Sequence, residues 1–473
     1  MLPSVRVIVG CLLLGALSLT PAGPREKLNY SIKSNRYDEI SDCAWQACSR
    51  FQRSYTVMRV VYSLVWFMAL PVVLLRLWWR ARRQPEYLQH IAERFGYYPA
   101  LTDCRPKLWL HAVSVGETRA AIPLIEVLLT RYPQHQLVLT HMTPTGRATG
   151  LALLGARVQQ YYLPYDYPGA VARFVAHVQP QFGVLMETEL WPNLLKACAD
   201  QGVRMYLVNA RLSERSARRY QQFVGLTRAM LSRFTAIAAQ SEVDADRFQR
   251  LGASPVVVTG SLKFDVLIPA TQLVVGRDWR RQWPARPVVV FASSREGEER
   301  LFLEAMTAHD LDQVLLVVVP RHPQRFEAVA QLITQAGWRI HRRSANTACP
   351  AEVQVIVGDT MGEMFAYYAA SDVVILGGSF LPYGAQSLIE PCAVGKPVIL
   401  GPSTFNFAEV TRQAVAAGAA LQVADPAEAW RAARALLADR ERCQQMAEAG
   451  AHYTESQRGA TQRVLEIITE CNP

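Results

Sequence analysis

The chain has 473 residues, of which 50% are hydrophobic and 19% charged, with a formal net charge of +10. This composition excludes an intrinsically disordered protein, and the length suffices for two or three domains with full cores. The basic balance suits nucleic acid, an anionic membrane surface or a phosphorylated ligand equally well and does not choose among them. The nine cysteines are scattered, without a CxxC pair or a Cys/His cluster at metal spacing. Neither a zinc site nor a disulfide framework is therefore expected, and reduced, cytosolic thiols are the default.

Arg6 precedes an apolar run over residues 7–19 that resembles a secretory signal peptide. Ile8-Val9-Gly10-Cys11 also fits a lipoprotein cleavage box, but the apolar run lies after Cys11 where it should lie before, so that match is discounted. Residues 24–57 are polar and show no sustained period. From Val60 to Trp79 the chain is apolar except at Ser63 and Arg76, and Arg80, Arg82 and Arg83 come next. About 20 such residues are just enough to span a bilayer, and the positive flank assigns the rest of the chain to the cytoplasm. Trp66, Trp78 and Trp79 fit an interfacial belt; the plainer reading is a buried core helix interrupted at Pro71, and an anchor lying in the interface stays open. Two export-like segments in one chain conflict. The expectation is that Met58 is the true start, 1–57 a non-native or unstructured extension, and 58–80 a membrane anchor helix.

After a linker, apolar runs at 137–142, 158–164, 182–189, 203–210, 236–241 and 256–260 alternate with helical patterns. Such alternation implies parallel strands with helices on both faces. A polar stretch at 263–286 reads as a linker, after which runs at 287–294, 313–320, 353–358, 372–379 and 397–402 predict a second parallel sheet. The expected fold class is α/β, with two Rossmann-like domains, 81–262 and 287–473, facing a cleft behind an N-terminal anchor helix. The last helix could pack back on the first domain.

Chemistry is expected at strand ends, where open α/β sheets bind ligands. In LWLHAVSVGE the apolar run to Val115 meets Gly116 and then Glu117, a candidate general base or merely a first-turn acid offsetting the helix dipole. METELWPN puts Glu187 and Glu189 at another strand end. GSLKFD offers Lys263, able to neutralise a departing phosphate or simply a surface lysine. In the second domain Pro320 and Arg321 end one strand, and the Arg could pair with a phosphate or sit in an ordinary salt bridge. GDTMGEM contains Thr360 and Glu363 at capping-box spacing, and LGGSFLPYGAQSLIEP contains Ser387 and Glu390 at the same spacing. A capped helix start after glycine is also an anion site, and Glu390 could accept from ribose hydroxyls. Taken singly these signals are weak; together they point to a phosphate or nucleotide site.

Two Rossmann-like domains with a cleft are the architecture of B-type nucleotide-sugar glycosyltransferases, an inference from fold alone. Asp244-Ala245-Asp246 must be weighed as the metal-binding DxD of A-type enzymes, but it opens a helix, so dipole stabilisation is the better account and no metal is expected. The ordered motifs HAVSVGE, MTPTG, METELWPN, NARLS, GSLKFD, PRHPQRF, GDTMGE and GPSTFNF closely resemble the bacterial Kdo transferase family, from about Met58 to the C-terminus. The resemblance implies an inverting transferase that moves 3-deoxy-D-manno-octulosonic acid (Kdo) from CMP-Kdo to a lipid A precursor glycolipid, on the cytoplasmic face of the inner membrane, without a cofactor and without nucleic acid as partner. It implies Glu117 as general base and assistance from Glu187 and Lys263. It implies CMP contacts from Pro320 and Arg321, from Met361, Gly362 and Glu363, and from Ser387, Leu388, Ile389 and Glu390. One departure stands out: where the family reads GGHNPLE this chain has YGAQSLIE, so Ala385, Gln386 and Ser387 replace Gly, His and Asn. The rival readings are a UDP-sugar-dependent B-type transferase acting on another membrane lipid, and a non-catalytic lipid A binding protein.

Overall fold

The computed structural model describes residues 36–471 other than 83 and 102, with side chains from Tyr55 onward except at 308 and 309. The signal-like run at 7–19 lies outside the described residues. The chain divides into two compact units, one of residues 1–262 and 459–473, the other of residues 263–458.

The first unit is built on β1 (Lys107–His111), β2 (Gln136–His141), β3 (Val158–Tyr162), β4 (Pro180–Met186), β5 (Arg204–Ala210), β6 (Phe234–Ala239) and β7 (Val256–Val258), all parallel in the order β3-β2-β1-β4-β5-β6-β7. These runs are apolar without alternation because both faces are covered. Leu108, Leu110, Tyr206 and Val208 pack on one side against the helices Val115–Arg131 and Ala460–Glu470. Trp109, Met205 and Leu207 pack on the other, against Phe174, Leu194 and Met230. The strand order reverses between β1 and β4, which makes their carboxyl ends the switch point where such sheets bind ligands.

The second unit repeats the plan with β8 (Val288–Ser294), β9 (Leu315–Pro320), β10 (Ile340–Arg342), β11 (Val355–Val357), β12 (Val373–Leu376), β13 (Val398–Leu400) and β14 (Ala420–Gln422), parallel in the order β10-β11-β9-β8-β12-β13-β14. Its reversal falls between β8 and β12. The three-residue edge strands β10 and β14 have no counterpart in the sequence reading. Residues 263–286, read as a linker, contain the helix Ala270–Gln282, and Trp279 and Trp283 are core residues of this unit. The polar surface of that helix hides its two aromatic anchors from a composition argument.

A helix runs from Arg36 to Ala81. Residues 36–57, expected to belong to a non-native or unstructured extension, are helical and continuous with the apolar segment, and Tyr55 lies in the first unit's core. From Tyr55 to Ala81 the helix is, by length and composition, apolar enough to cross a membrane.

Candidate functional site

In the first unit, β1 ends at His111 and the helix Val115–Arg131 begins four residues on, with Glu117 in its first turn. The Glu117 carboxylate turns back on its own loop, Oε2 accepting from Val113 N at 2.6 Å. Gly146 lets a second helix start approach that loop: a Cβ there would stand 2.9 Å from Thr143 Oγ1 and 3.3 Å from the Val113 carbonyl. Thr143 caps this neighbouring helix, Pro144–Leu154, by accepting from Gly146 N.

On the adjoining strand, Glu187 follows β4 in the left-handed region at φ 60° and donates its N–H to the Val208 carbonyl. A non-glycine residue held there costs energy, and such residues gather at functional sites. Glu189 is buried and accepts from Trp191 Nε1 at 2.6 Å, while the Trp191 ring lies edge-on to His111 at 6.4 Å. Adjacent strands thus bring Glu117 and Glu187 to one switch point. Asn209, at φ 51° near the end of β5, accepts from Ser261 Oγ and Leu262 N and fixes the segment that leads out of this unit. The DxD-like pair separates: Asp244 accepts from Leu212 N and Ser241 Oγ, whereas Asp246 pairs with Arg250.

In the second unit four neighbouring strands, β11, β9, β8 and β12, end side by side, and the predicted residues other than Lys263 close or follow three of them, β9, β11 and β12. Pro320 closes β9 and the Arg321 N–H donates to the Ser294 carbonyl at 3.0 Å. Arg295 leaves β8 and stacks 4.6 Å over the Tyr383 ring, its Nη1 2.6 Å from His322 Nε2. Burial, then the charges of Arg295, Arg321 and Arg325, holds His322 below its ordinary value, so the imidazole stays neutral and accepts from Arg295. Arg325 is neutralised by a two-pronged pair with buried Glu299. Arg295 and Arg321 thus stand just beyond the ends of β8 and β9, and arginine is a residue type suited to an anionic ligand.

Glu298 shapes this end of the sheet. Its buried carboxylate accepts from the N–H groups of Arg295, Gly378 and Phe380 at 2.7–2.9 Å, tying β8 to β12. Burial pushes its carboxyl up, against the pull of those donors. Gly377 is required by the same closeness, since a Cβ would meet Ser293 O at 2.6 Å. Sequence reading passed over Glu298, Arg295 and Asn209. The signal for the first was present: Gly297-Glu298 follows β8 as Gly116-Glu117 follows β1.

The two expected capping boxes do not form. The helix Met364–Ala370 has Glu363 at its N-cap, because Thr360 Oγ1 donates to the Glu363 carboxylate instead of accepting from a backbone N–H. The helix Ile389–Ala393 starts from Leu388, without a side-chain cap. The two helices are seven and five residues long, and neither start carries the side-chain cap that was expected of it. Glu363 pairs with Arg343 at 2.9 Å, Met361 is exposed, and Gly362 takes φ 82° while its carbonyl accepts from Gln272 Nε2. Leu388 and Ile389 are core residues, so among 387–390 only Ser387 and Glu390 can offer side chains. Ala385, in place of the family glycine, is held at φ 63°. Lys263 lies with its Nζ 6.0 Å from the Phe407 ring in the GPSTFNF loop. Among the described residues no group of three or more His, Cys, Asp or Glu side chains could hold a metal ion.

The family model described as 3-Deoxy-D-manno-octulosonic-acid transferase (kdotransferase) matches residues 89–266, and that for glycosyl transferases group 1 matches residues 335–453. A curated 3-deoxy-D-manno-octulosonic acid transferase of Bordetella pertussis is 45% identical over 426 residues, spanning 87% of this chain and 99% of its own length. The chain belongs to the Kdo transferase family. A second curated Kdo transferase, from Haemophilus influenzae, is 36% identical over 418 residues, covering 87% of this chain and 98% of its own. A solved glycosyltransferase of Rickettsia africae shares the fold, with a TM-score of 0.51 at 14% identity over 78% of this chain and 99% of that one. This Kdo transferase is thus a glycosyltransferase of the B-type fold, with Glu117 and Glu187 beyond strand ends of its first sheet and Arg295 and Arg321 beyond strand ends of its second.

Proposed function

We propose that this Kdo transferase uses CMP-Kdo as donor and a hydroxyl of a lipid A precursor as acceptor, with Glu117 as general base. The observation that carries the reading is the place of Glu117: the carboxyl end of β1, beside Glu187 at the end of β4, with its rotamer fixed by Val113 N. The base removes the acceptor proton as the hydroxyl oxygen forms a bond to the anomeric carbon. The bond from that carbon to phosphate breaks, and CMP leaves with the electron pair. A single displacement inverts the anomeric configuration. Lys263 offsets charge on departing CMP, and Glu187 assists the transition state. On the second unit Pro320, Arg321, the stretch 361–363, Ser387 and Glu390 receive the donor, Leu388 and Ile389 contributing through backbone, with Arg295 added to the phosphate side. We propose further that the reaction needs no metal or cofactor, that nucleic acid is not a partner, and that the enzyme works at the cytoplasmic face of the inner membrane. The apolar helix and the basic charge support that place.

The test is label transfer from CMP-Kdo to lipid A precursor in the presence of chelator, by the full chain and by Glu117→Gln. The expected loss in the variant is about 100-fold or more with binding of CMP retained. Competition by UDP in place of CMP would transfer the reading to the UDP-sugar alternative. Absence of transfer by folded protein would favour the non-catalytic binding protein. The product mass counts the Kdo units.

A further inference from the structure

The helix that continues from Tyr55 has two unlike faces, and both run its whole length. Ser63, Trp66, Ala69, Leu77 and Ala81 are buried, spaced to share one side. Val57, Leu64, Met68, Val72, Leu75 and Trp79 lie on the other and are 52–73% exposed. The buried side is seated on the first unit by specific contacts. Near its start, Arg233 covers the Tyr55 ring at 4.4 Å, and Arg59 Nη1 donates to Asn193 Oδ1 at 3.0 Å. Ser63 Oγ accepts from Asn193 Nδ2 at 3.1 Å. At mid-length Trp66 stacks on Tyr165 at 6.2 Å, its carbonyl accepts from Tyr167 Oη at 3.0 Å, and Leu70 and Val73 pack against the same tyrosine cluster. Near its end Arg80 lies 5.4 Å over Tyr87.

These contacts decide how such a helix can meet a bilayer. At 1.5 Å per residue, 27 residues measure about 40 Å, more than the roughly 30 Å of hydrocarbon. Were the helix to cross, the groups seated on its middle, from Tyr62 to Val73, would enter the hydrocarbon whichever end stayed outside. Those groups include the buried Asp166 carboxylate, which hydrogen-bonds Tyr62 and accepts from Asn193 N and Leu194 N. Charged groups are rare at that depth because burying them in lipid is costly.

We infer that the helix Tyr55–Ala81 does not cross the bilayer but lies along it, its exposed apolar face sunk in one leaflet of an anionic phospholipid membrane while its other face is part of the first unit. The occupant is a lipid surface because the apolar strip ends in a basic and aromatic cluster, Arg76, Trp78, Trp79 and Arg82, with Arg82 stacked 3.9 Å over Trp78. Such a strip with cationic edges fits acyl chains below anionic headgroups. The inference rests on the membrane reading above and adds geometry to it: the switch point carrying Glu117 and Glu187 belongs to the body that the leaflet holds, so it is fixed to the membrane as one piece and not tethered by a stalk.

The test uses the full chain with phosphatidylethanolamine/phosphatidylglycerol vesicles. An environment-sensitive fluorescent amino acid is placed singly at Val57, Met68 and Trp79, and quenching is read with lipids brominated at graded acyl depths. The inference expects all three positions to be quenched at the same shallow depth. A deep Met68 flanked by two shallow ends would overturn it while leaving membrane binding intact. Failure of the chain to float with the vesicles would overturn the membrane reading itself. Met68→Asp should lower vesicle partition by at least about 10-fold without moving thermal unfolding; unchanged partition would show that the exposed face is not the one in lipid.

Discussion

Glu117 and Glu298 are the same device used twice. Each comes after a strand end and a glycine, and each carboxylate folds back onto a backbone N–H of its own loop, Val113 or Arg295. They differ in their surroundings. Glu298 is fully buried and also holds Gly378 and Phe380, so its work is to position the loop, whereas Glu117 is half-buried beyond the carboxyl end of β1. Glu298→Gln replaces an acceptor oxygen with an NH2 facing backbone donors. It should cost about 1–3 kcal/mol in urea unfolding of the second unit and weaken CMP binding by calorimetry, with folded structure retained. Unaltered CMP affinity would remove Glu298 from the donor site. His141 gives a pH prediction of known sign. Its Nδ1 lies 3.0 Å from the Ala112 carbonyl, and burial holds the imidazole down to about 4. The unfolded chain takes up this proton below its ordinary value near 6.5 and the folded chain does not, so the contribution is present above about 6.5 and lost as pH falls toward 4. Between pH 7 and 5 the wild type should lose about 2 kcal/mol more stability than His141→Gln. Equal losses would mean that His141 is protonated in the folded state.

At the scale of elements, the long central strands were legible because burial on both faces forces unbroken apolar runs such as PVVVFASS and QVLLVVVP. β10 and β14 were not: their three residues, Ile-His-Arg and Ala-Leu-Gln, make no apolar run, unlike the equally short edge strand β7, Val-Val-Val. Helix starts misled in a different way. The spacing Thr360 to Glu363 satisfies the capping pattern, but a hydroxyl can donate to the carboxylate directly, and here it does, moving the helix start to Glu363. The polar stretch 263–286 hid a helix because few of its residues are buried: Phe264, Gly276, Trp279 and Trp283. Trp279 stacks on Trp283 at 5.8 Å and meets Tyr367 at 5.0 Å, and Gln272 of the same helix holds the Gly362 carbonyl and Phe365 N. The element read as a linker therefore supports one of the predicted donor loops. Trp279→Ala should lower the stability of the second unit by about 3–5 kcal/mol, read by urea unfolding, and loosen the 361–363 loop. A loss below about 0.5 kcal/mol would return the stretch to the status of a connection.

For the whole molecule, chain order and body order differ. The chain leaves the first unit after Leu262, builds the second, and returns at Gly459, so that its last helix completes the first sheet's cover. Ala460, Val464, Leu465 and Ile468 pack in one cluster with Ala121, Leu124, Ile125 and Leu128 of the helix that begins at Glu117's turn. That packing makes the far C-terminus a support of the candidate base. A chain ending at Arg458 should expose those four apolar positions and destabilise the first unit, although every residue of its seven strands remains. Hydrogen exchange tests this with spatial resolution: protection should fall across Val115–Arg131 and β1, stay unchanged through β8 to β14, and be accompanied by loss of transfer. If protection falls instead in the second unit, the last helix stabilises the body that precedes it in sequence, and the support assigned to Glu117 must come from elsewhere. Ile468→Asp makes the same comparison without shortening the chain: one buried charge placed against Leu124 and Ile125 should reproduce the exchange pattern of the truncation.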